Sequence, residues 1–374
     1  MIDEQLNIFT ISLFNHLFDS QNATGNMAFS GIGLFVILGS VGFGLEGKSF
    51  YQLSEFLEDD LGDLFDPGSM TYTRSAKKWN YLRSITQKIS NLNLFIFSTC
   101  NFKDDFTQIS NLVFDQTQYQ VDISNPTISE RDMNKLISSW GFKSYGKKIH
   151  DMLQNENSLI FGYSYKFYAD WNANFDQKLT KPEVFYDDKG QPQMVEMMNQ
   201  ISRNRIFESS EDKFRILFKS CNRRKYHTVI VLPNEGTTIR EVLYNFEIDQ
   251  MGTYFYSAKS KYIDLKLPKF EIETFTDFVE TLKYIKLTHI FERNQSDFGR
   301  MTNHSVFIGN LIELSYLVID DMGDVGSSHL TVRVDQYTGG ATKFYVTRPF
   351  LFFIYSYQGN LVHISAIVTD PNAY

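Results

Sequence analysis

The sequence contains little cysteine and little proline: of 374 residues, two are cysteine and eight are proline. Cys100 and Cys221 are too few for a disulfide scaffold. They favour a reducing compartment, with a single disulfide in a secreted protein as the alternative. The prolines form no cluster, and no Pro/Ser-rich linker or internal repeat divides the chain. These absences predict one domain that is stabilised by its core and not by cross-links.

The sequence also lacks a hydrophobic run long enough to cross a bilayer. Residues 1–7 are acidic, and an amphipathic helical pattern follows them in place of the basic and apolar regions of a cleavable signal. The formal net charge of −8 argues against general nucleic-acid binding. We therefore expect neither a membrane nor a nucleic acid as partner. We expect a cytoplasmic protein, with release by a signal-independent route or an extracellular location as alternatives.

Enzyme motifs are missing as well. The seven histidines include no pair three or four residues apart, so they form no zinc motif. No Gly-rich phosphate loop and no Gly-x-Ser-x-Gly turn occurs. Adjacent carboxylates such as Asp59-Asp60, Asp187-Asp188 and Asp320-Asp321 are interpreted as surface charge. We expect no catalytic residue and no metal, and we interpret the chain as a protein that is not an enzyme.

What is present is a change of periodicity along the chain. Helical patterns dominate the first part, and strand-like runs of β-branched and aromatic residues dominate from residue 159 onward. The predicted helices cover 6–18, 30–43, 48–57, 71–88, 104–115, 129–139, 146–154 and 275–285. The predicted strands cover 92–102, 159–167, 206–218, 227–232, 262–268, 305–319, 350–357 and 361–368. Helices and strands without a break in composition predict one α+β domain.

Residues 322–343 differ from their surroundings. They are small, polar and Gly-containing, and they lie between two apolar strand runs. A loop of about 20 residues in a compact protein is usually functional. The functional site of the chain is therefore predicted in this segment.

Seven short motifs follow one another between residues 26 and 371. They are Asn26 and Ser30 with Gly44, Gly47, Ser49 and Gln52; Trp171 with Phe175, Thr180 and Phe185; Val231-Leu232-Pro233; Leu267-Pro268-Lys269-Phe270; Ser296-Asp297-Phe298; Pro349-Phe350; and Asp370-Pro371. In this order they resemble the serpin family of serine protease inhibitors, of the intracellular, ovalbumin-like type. The resemblance implies one serpin domain over residues 1–374, with about eight to nine helices packed on three β-sheets. It also implies control of the opening of the central sheet by Trp171 and by Glu313, which replaces a histidine of the family.

The resemblance further implies that residues 322–343 are an exposed reactive-centre loop. Its hinge comprises Gly323, Asp324, Val325, Gly326, Ser327 and Ser328. A serpin is a suicide substrate: a protease cleaves the loop, and the cut strand inserts into the central sheet with the acylated protease attached. Family spacing places the cleaved bond between Tyr337 and Thr338, while counting back from Pro349 shifts it to Thr338. An aromatic Tyr337 implies a chymotrypsin-like or cathepsin-G-like serine protease as partner of a monomeric inhibitor.

An inserted strand must alternate, with every second side chain facing the core. The inward positions here are Gly326, Ser328, Leu330, Val332 and Val334, which suit burial. Asp324 is the exception, because an unpaired buried carboxylate costs on the order of several kcal/mol. A non-inhibitory, serpin-fold binding or interaction protein is therefore the alternative.

A polyanion site is the only ligand site that the resemblance suggests. In some serpins, the helix before the second strand of the main sheet binds sulfated polysaccharide, and residues 71–88 occupy that place. Arg74, Lys77, Lys78 and Lys88 fall within a sector of roughly 100° on this helix. Such a patch can bind a heparin-like polyanion, although an ordinary solvated helix face is the commoner cause of this pattern.

Overall fold

The computed structural model describes residues 2–59, 61–65, 73–153, 158–221, 226–321 and 340–373. The α-helices in these ranges are α1 (Ile2–Ser20), α2 (Gly31–Phe43), α3 (Gly47–Leu57), α4 (Arg74–Gln87), α5 (Asp104–Ile109), α6 (Pro126–Ser139), α7 (Gly146–Met152), α8 (Ile239–Asn245), α9 (Met251–Ser257) and α10 (Val279–Tyr284). The strands are β1 (Met27–Phe29), β2 (Asn93–Ser98), β3 (Gln116–Gln120), β4 (Ser158–Tyr168), β5 (Lys181–Tyr186), β6 (Pro192–Glu208), β7 (Phe214–Ser220), β8 (Tyr226–Pro233), β9 (Lys259–Pro268), β10 (Phe270–Asp277), β11 (Phe307–Ile319), β12 (Thr342–Tyr345), β13 (Phe350–Ser356) and β14 (Leu361–Val368). Within the same ranges, none of the helices combines the length and the apolar character that a membrane span requires.

The chain divides into two compact units. The first comprises Met1–Gly31, Phe167–Glu273 and Tyr316–Tyr374, and the second comprises Ile32–Lys166 and Thr274–Ser315. Each unit therefore combines segments that are distant in sequence.

The first unit contains a nine-stranded sheet in the order β1-β14-β13-β8-β7-β6-β9-β12, with β5 paired to β6. Its central strands β13 and β14 are buried almost throughout, as their aromatic and β-branched composition requires. Phe14 of α1 packs against Phe29 and Phe353, with ring centroids 5.8 and 5.9 Å apart. Phe246 stacks on Phe353, with ring centroids 5.4 Å apart. This aromatic layer forms the core of the first unit.

The second unit is built on a sheet in the order β10-β11-β4-β2-β3. Helix α2 is buried along its whole length, because it is apolar on all sides. Phe35 of α2 stacks on Trp79 of α4 at 5.4 Å. Gly39 permits this contact, since a Cβ at this position would lie only 2.6 Å from the indole ring. The sheet and α2 therefore form the core of the second unit.

The predicted α+β class is confirmed. The described strands form two hydrogen-bonded sheets where three were expected, because the long strand β6 pairs with β9 and with β7 and so joins their strands into one sheet. Its residues 197–206 pair with β9, and its residues 205–208 pair with β7. The described helices number ten against the expected eight to nine, and several of them have only six or seven residues.

Candidate functional site

The predicted reactive segment lies largely outside the described residues. This applies to Tyr337 and Thr338, and to the hinge residues Gly323, Asp324, Val325, Gly326, Ser327 and Ser328. The residues on either side are described: β11 leads to Asp321, and Gly340 leads into β12. Because β12 begins at Thr342, where it pairs in parallel with Ile263 of β9, the loop ends before the predicted limit of 343.

Strand β11, which leads into the loop, lies directly beside β4 in the sheet. The two strands run in the same direction. Gly309 lies against Ser158 near one end, and the Ala169 N–H just beyond β4 donates to the Val318 carbonyl near the other, at 3.1 Å. We call this β4–β11 junction the seam. Among the described residues, no strand lies between β4 and β11.

Asp320 and Asp321, the last residues described before the loop, are both held in place. The Trp171 indole N–H donates to the Asp320 carbonyl at 2.7 Å. The Asp321 carboxylate accepts a hydrogen bond from the Thr180 hydroxyl at 3.1 Å and lies 2.8 Å from the Lys269 ammonium. Asp321 is only 2% exposed, so its interpretation as surface charge is wrong. Trp171 thus contacts the residue that directly follows β11.

Lys219 is a buried charge beside Trp171 that the sequence analysis did not identify. The residue is 2% exposed. Its ammonium donates to the Gln200 side-chain carbonyl at 2.6 Å and to the Ala173 carbonyl at 3.1 Å. It also lies 5.3 Å from the ring centroid of Trp171 and 4.8 Å from that of Phe175. Burial lowers the pKa of Lys219 to about 7, because the charged form loses its hydration.

Glu313 lies within the buried part of β11 and is 0% exposed. The Tyr163 hydroxyl donates a hydrogen bond to the Glu313 carboxylate, and the same carboxylate interacts electrostatically with Tyr165. Burial, followed by the Glu313 charge, raises the pKa of both phenols well above its usual range. Glu313 and Tyr163 therefore connect β11 to β4 across the seam through side chains.

The four cations of the predicted polyanion site differ in exposure. Arg74, Lys77 and Lys88 are exposed. Lys78 is half-buried and lies 3.3 Å from the Asp59 carboxylate and 5.0 Å from the Trp79 ring centroid. Burial lowers the pKa of Lys78. Lys78 therefore stabilises the packing of α4, and three of the predicted cations are left facing solvent.

Comparison with known proteins extends over the same residues as the seven motifs. A family model described as Serpin (serine protease inhibitor) matches residues 4–371. The chain is 21% identical to Serpin I2 of Homo sapiens over 375 residues, which cover 97% of this chain and 90% of that protein. It is 24% identical to the leukocyte elastase inhibitor of Xenopus tropicalis over 358 residues, covering 92% and 93%. The crystal structure of native protease nexin-1 with heparin matches with a TM-score of 0.82 at 19% identity, covering 99% of this chain and 98% of that one.

The buried Lys219 predicts a pH dependence of stability. Its folded-state pKa of about 7 lies below the ordinary value of 10.5, so the folded chain binds fewer protons than the unfolded chain between these two pH values. The wild type should therefore gain stability as pH rises from 7 to 9. The gain contributed by Lys219 over this range is about 2 kcal/mol, at roughly 1.4 kcal/mol per pH unit.

Urea denaturation of the wild type and of Lys219→Met at pH 7, 8 and 9 measures this contribution. The stability difference between the two proteins should change by that amount over the range. Lys189→Met, which removes an exposed lysine, serves as control and should show no such change. A pH-independent difference for Lys219→Met would contradict the assignment.

Proposed function

Since this chain belongs to the serpin family of serine protease inhibitors, we propose that it inhibits a chymotrypsin-like or cathepsin-G-like serine protease as a suicide substrate. The observation that carries the proposal is the closed seam: β11, which leads into the loop, lies directly beside β4. A strand formed by the cleaved loop could pair with both β4 and β11 at this position. Each backbone hydrogen bond gained in this way contributes about 1 kcal/mol, which favours insertion.

The proposed chemistry belongs to the protease. Its catalytic serine attacks the carbonyl carbon of Tyr337, the bond to Thr338 breaks, and the amino group of Thr338 leaves with a proton. The part of the chain that ends at Tyr337 stays bound to the serine as an ester. Water completes the reaction with an ordinary substrate, and insertion at the seam would distort the protease before water can attack.

The length of the inserted strand supports the choice of bond. The fourteen residues from Asp324 to Tyr337 span roughly 46 Å as a strand, enough to carry the protease away from the site of cleavage. A cut after Arg333 would leave an arm of only roughly 33 Å by the same rise. Trypsin-like cleavage there would inactivate the inhibitor and release the protease.

Replacing Tyr337 tests this proposal. Tyr337→Ala should abolish the SDS-stable complex with chymotrypsin, because the pocket of this protease binds a flat ring beside the cleaved bond. Wild type and variant are incubated with the protease, and the complex is measured by gel electrophoresis with residual protease activity. Tyr256→Ala, which removes a tyrosine that is 72% exposed, is the matched control and should inhibit as the wild type does. Full inhibition by Tyr337→Ala would place the cleaved bond elsewhere, with Thr338 as the next position to replace.

A non-inhibitory binding protein remains the second candidate function, because Asp324 would take the first inward position after Gly323 in an inserted strand. If the strand inserts in spite of Asp324, the cut protein should melt at a higher temperature than the intact one. Asp324→Thr should then raise the ratio of trapped protease to cleaved inhibitor. Asp335→Thr, at an outward position of the same strand, should leave the melting temperature of the cut protein unchanged. A cut protein that melts no higher than the intact one would favour the binding protein.

We retain the proposal of a cytoplasmic location, with release from the cell or an extracellular location as alternatives. Cys100 and Cys221 are free thiols, which agrees with a reducing compartment.

We also propose that the exposed cations of α4 bind a heparin-like polyanion, with Arg74, Lys77 and Lys88 as the contributing residues. The similar structure of protease nexin-1 was determined with heparin, which supports a test of this ligand. Lys77→Ala/Lys88→Ala should elute from a heparin column at lower salt than the wild type, because fewer sulfates are contacted. Lys178→Ala/Lys189→Ala removes the same charge from other exposed lysines and should elute as the wild type does. Identical elution of all three proteins would leave α4 with an ordinary solvated face.

A further inference from the structure

Helices α6 and α7 face each other in close contact. The Gly146 N–H at the start of α7 donates to the side-chain carbonyl of Asn134 at 2.6 Å. A Cβ at Gly146 would lie 2.6 Å from the Glu130 carbonyl, so only glycine permits this approach. Glu130 lies one helical turn before Asn134, and His150 lies one turn after Gly146. The side chains at positions 130 and 150 therefore meet between the two helices.

Three potential metal ligands lie together at this point. One ligand atom from each of Glu130, His150 and Asp151 lies within 4.8 Å of the other two. His150 Nδ1 is 4.0 Å from Glu130 Oε1, which is too far for a hydrogen bond. His150 is 8% exposed, and its buried Nε2 has no hydrogen-bond partner in the part of the chain that the structure describes. Nδ1 is the ring nitrogen that lies within 4.0 Å of the Glu130 carboxylate, so it is the atom that a metal ion between the two side chains would take as its ligand.

We propose that Glu130, His150 and Asp151, here called the α6–α7 cluster, bind a zinc ion. One imidazole and two carboxylates suit Zn²⁺ better than Mg²⁺ or Ca²⁺, which prefer oxygen ligands alone. Zinc ligands lie about 2.0–2.2 Å from the ion, so atoms of a tetrahedral site are about 3.4 Å apart. Side-chain shifts of about 1 Å would bring the cluster to this spacing, and Asp151 is exposed to solvent. Water would complete the coordination.

The sequence analysis expected no metal because it searched for pairs of histidines. The α6–α7 cluster has one histidine and draws its ligands from two helices. Only the packing of α7 on α6 brings them together.

The two helices bridge the seam between β4 and β11. Trp140, at the end of α6, stacks on Phe95 of β2 with centroids 5.1 Å apart. Tyr145, just before α7, lies 5.3 Å from Phe275 of β10, and the Lys148 ammonium is 3.6 Å from the same ring. In the sheet order, β2 and β10 lie on opposite sides of the seam. Contacts of α6 and α7 therefore connect the two halves of this sheet.

A strand that enters the seam would move β2 and β10 apart by about 4.8 Å, the spacing of neighbouring strands. The helices must then move relative to each other, or one of them must leave its strand. Zinc bound by the α6–α7 cluster ties the helices together and so slows insertion. This consequence for trapping rests on the proposed inhibitory function, whereas the zinc site itself does not.

Isothermal titration calorimetry with ZnCl₂ tests the site on untagged, reduced and chelator-treated protein. The wild type should bind one zinc ion per chain at this site. His150→Gln and Asp151→Asn should raise the Kd at least tenfold, because each removes a ligand. His304→Gln removes an exposed histidine of the same unit and should bind as the wild type does. Equal zinc affinity of all four proteins would overturn the site. If His150→Gln fails to fold, Asp151→Asn still tests the site, because Asp151 is exposed and its replacement should not disturb the core.

The effect on the seam is measured separately by incubation with chymotrypsin, with and without zinc. Zinc should lower the fraction of SDS-stable complex of the wild type at least twofold, in favour of cleaved inhibitor. Asp151→Asn under the same conditions controls for effects of zinc on the protease and should show no change. An unchanged fraction of complex in the zinc-bound wild type would overturn the proposal that zinc slows insertion by holding α6 and α7 together. If no complex forms at all while calorimetry still detects the zinc ion, the proposed inhibition fails and the zinc site stands.

Discussion

The direct pairing of β4 with β11 is the constraint on which the proposed mechanism depends. The two strands run in the same direction and already bond to each other, through Ala169 and Val318, just where β11 leads towards the loop. A further strand can pair with both only after this contact opens, so the closed arrangement and an expanded one exclude each other. In the proposed inhibitor, the closed form would persist because of a kinetic barrier and not because it has the lowest free energy.

Buried ionisable groups near the seam are costly for the closed form. Asp321 is compensated by Lys269, whereas the Lys219 ammonium lies against two neutral oxygens and two aromatic rings. Glu313 is fully buried against Tyr163. Apolar residues of similar volume at such positions usually give equal or greater stability. The cost of burying these groups lowers the free energy of unfolding of the closed form. It thereby reduces the free-energy difference between the closed form and an arrangement in which the groups are better solvated.

The sequence predicted elements whose signal is local and missed those that depend on distant partners. Helices α2 and α3 were predicted nearly to the residue, because α2 is one apolar run of helical length and the apolar residues of α3 repeat within a few turns. The single strand predicted over 206–218 consists of the end of β6, a turn and the start of β7. The sequence analysis missed this turn because it contains neither glycine nor proline. The sequence analysis did not identify Lys219, which directly follows the predicted strand, and it interpreted Asp321 as surface charge. Their burial depends on Gln200 and Lys269, which no local pattern connects to them.

Two groups of contacts lie along the seam, and in the proposed mechanism they would act at different stages of insertion. Thr180 and Lys269 bind Asp321 at the end of β11, so they act on the residues next to the hinge and would affect the first step of strand entry. Trp140 and Phe275 act through α6 and α7, which bridge the sheet further along the seam. The contacts of α6 and α7 with β2 and β10 need not break until the entering strand has moved β10 away from β2. Contacts at Asp321 would therefore set how fast insertion begins, whereas the α6–α7 contacts would set whether it finishes before the protease is released.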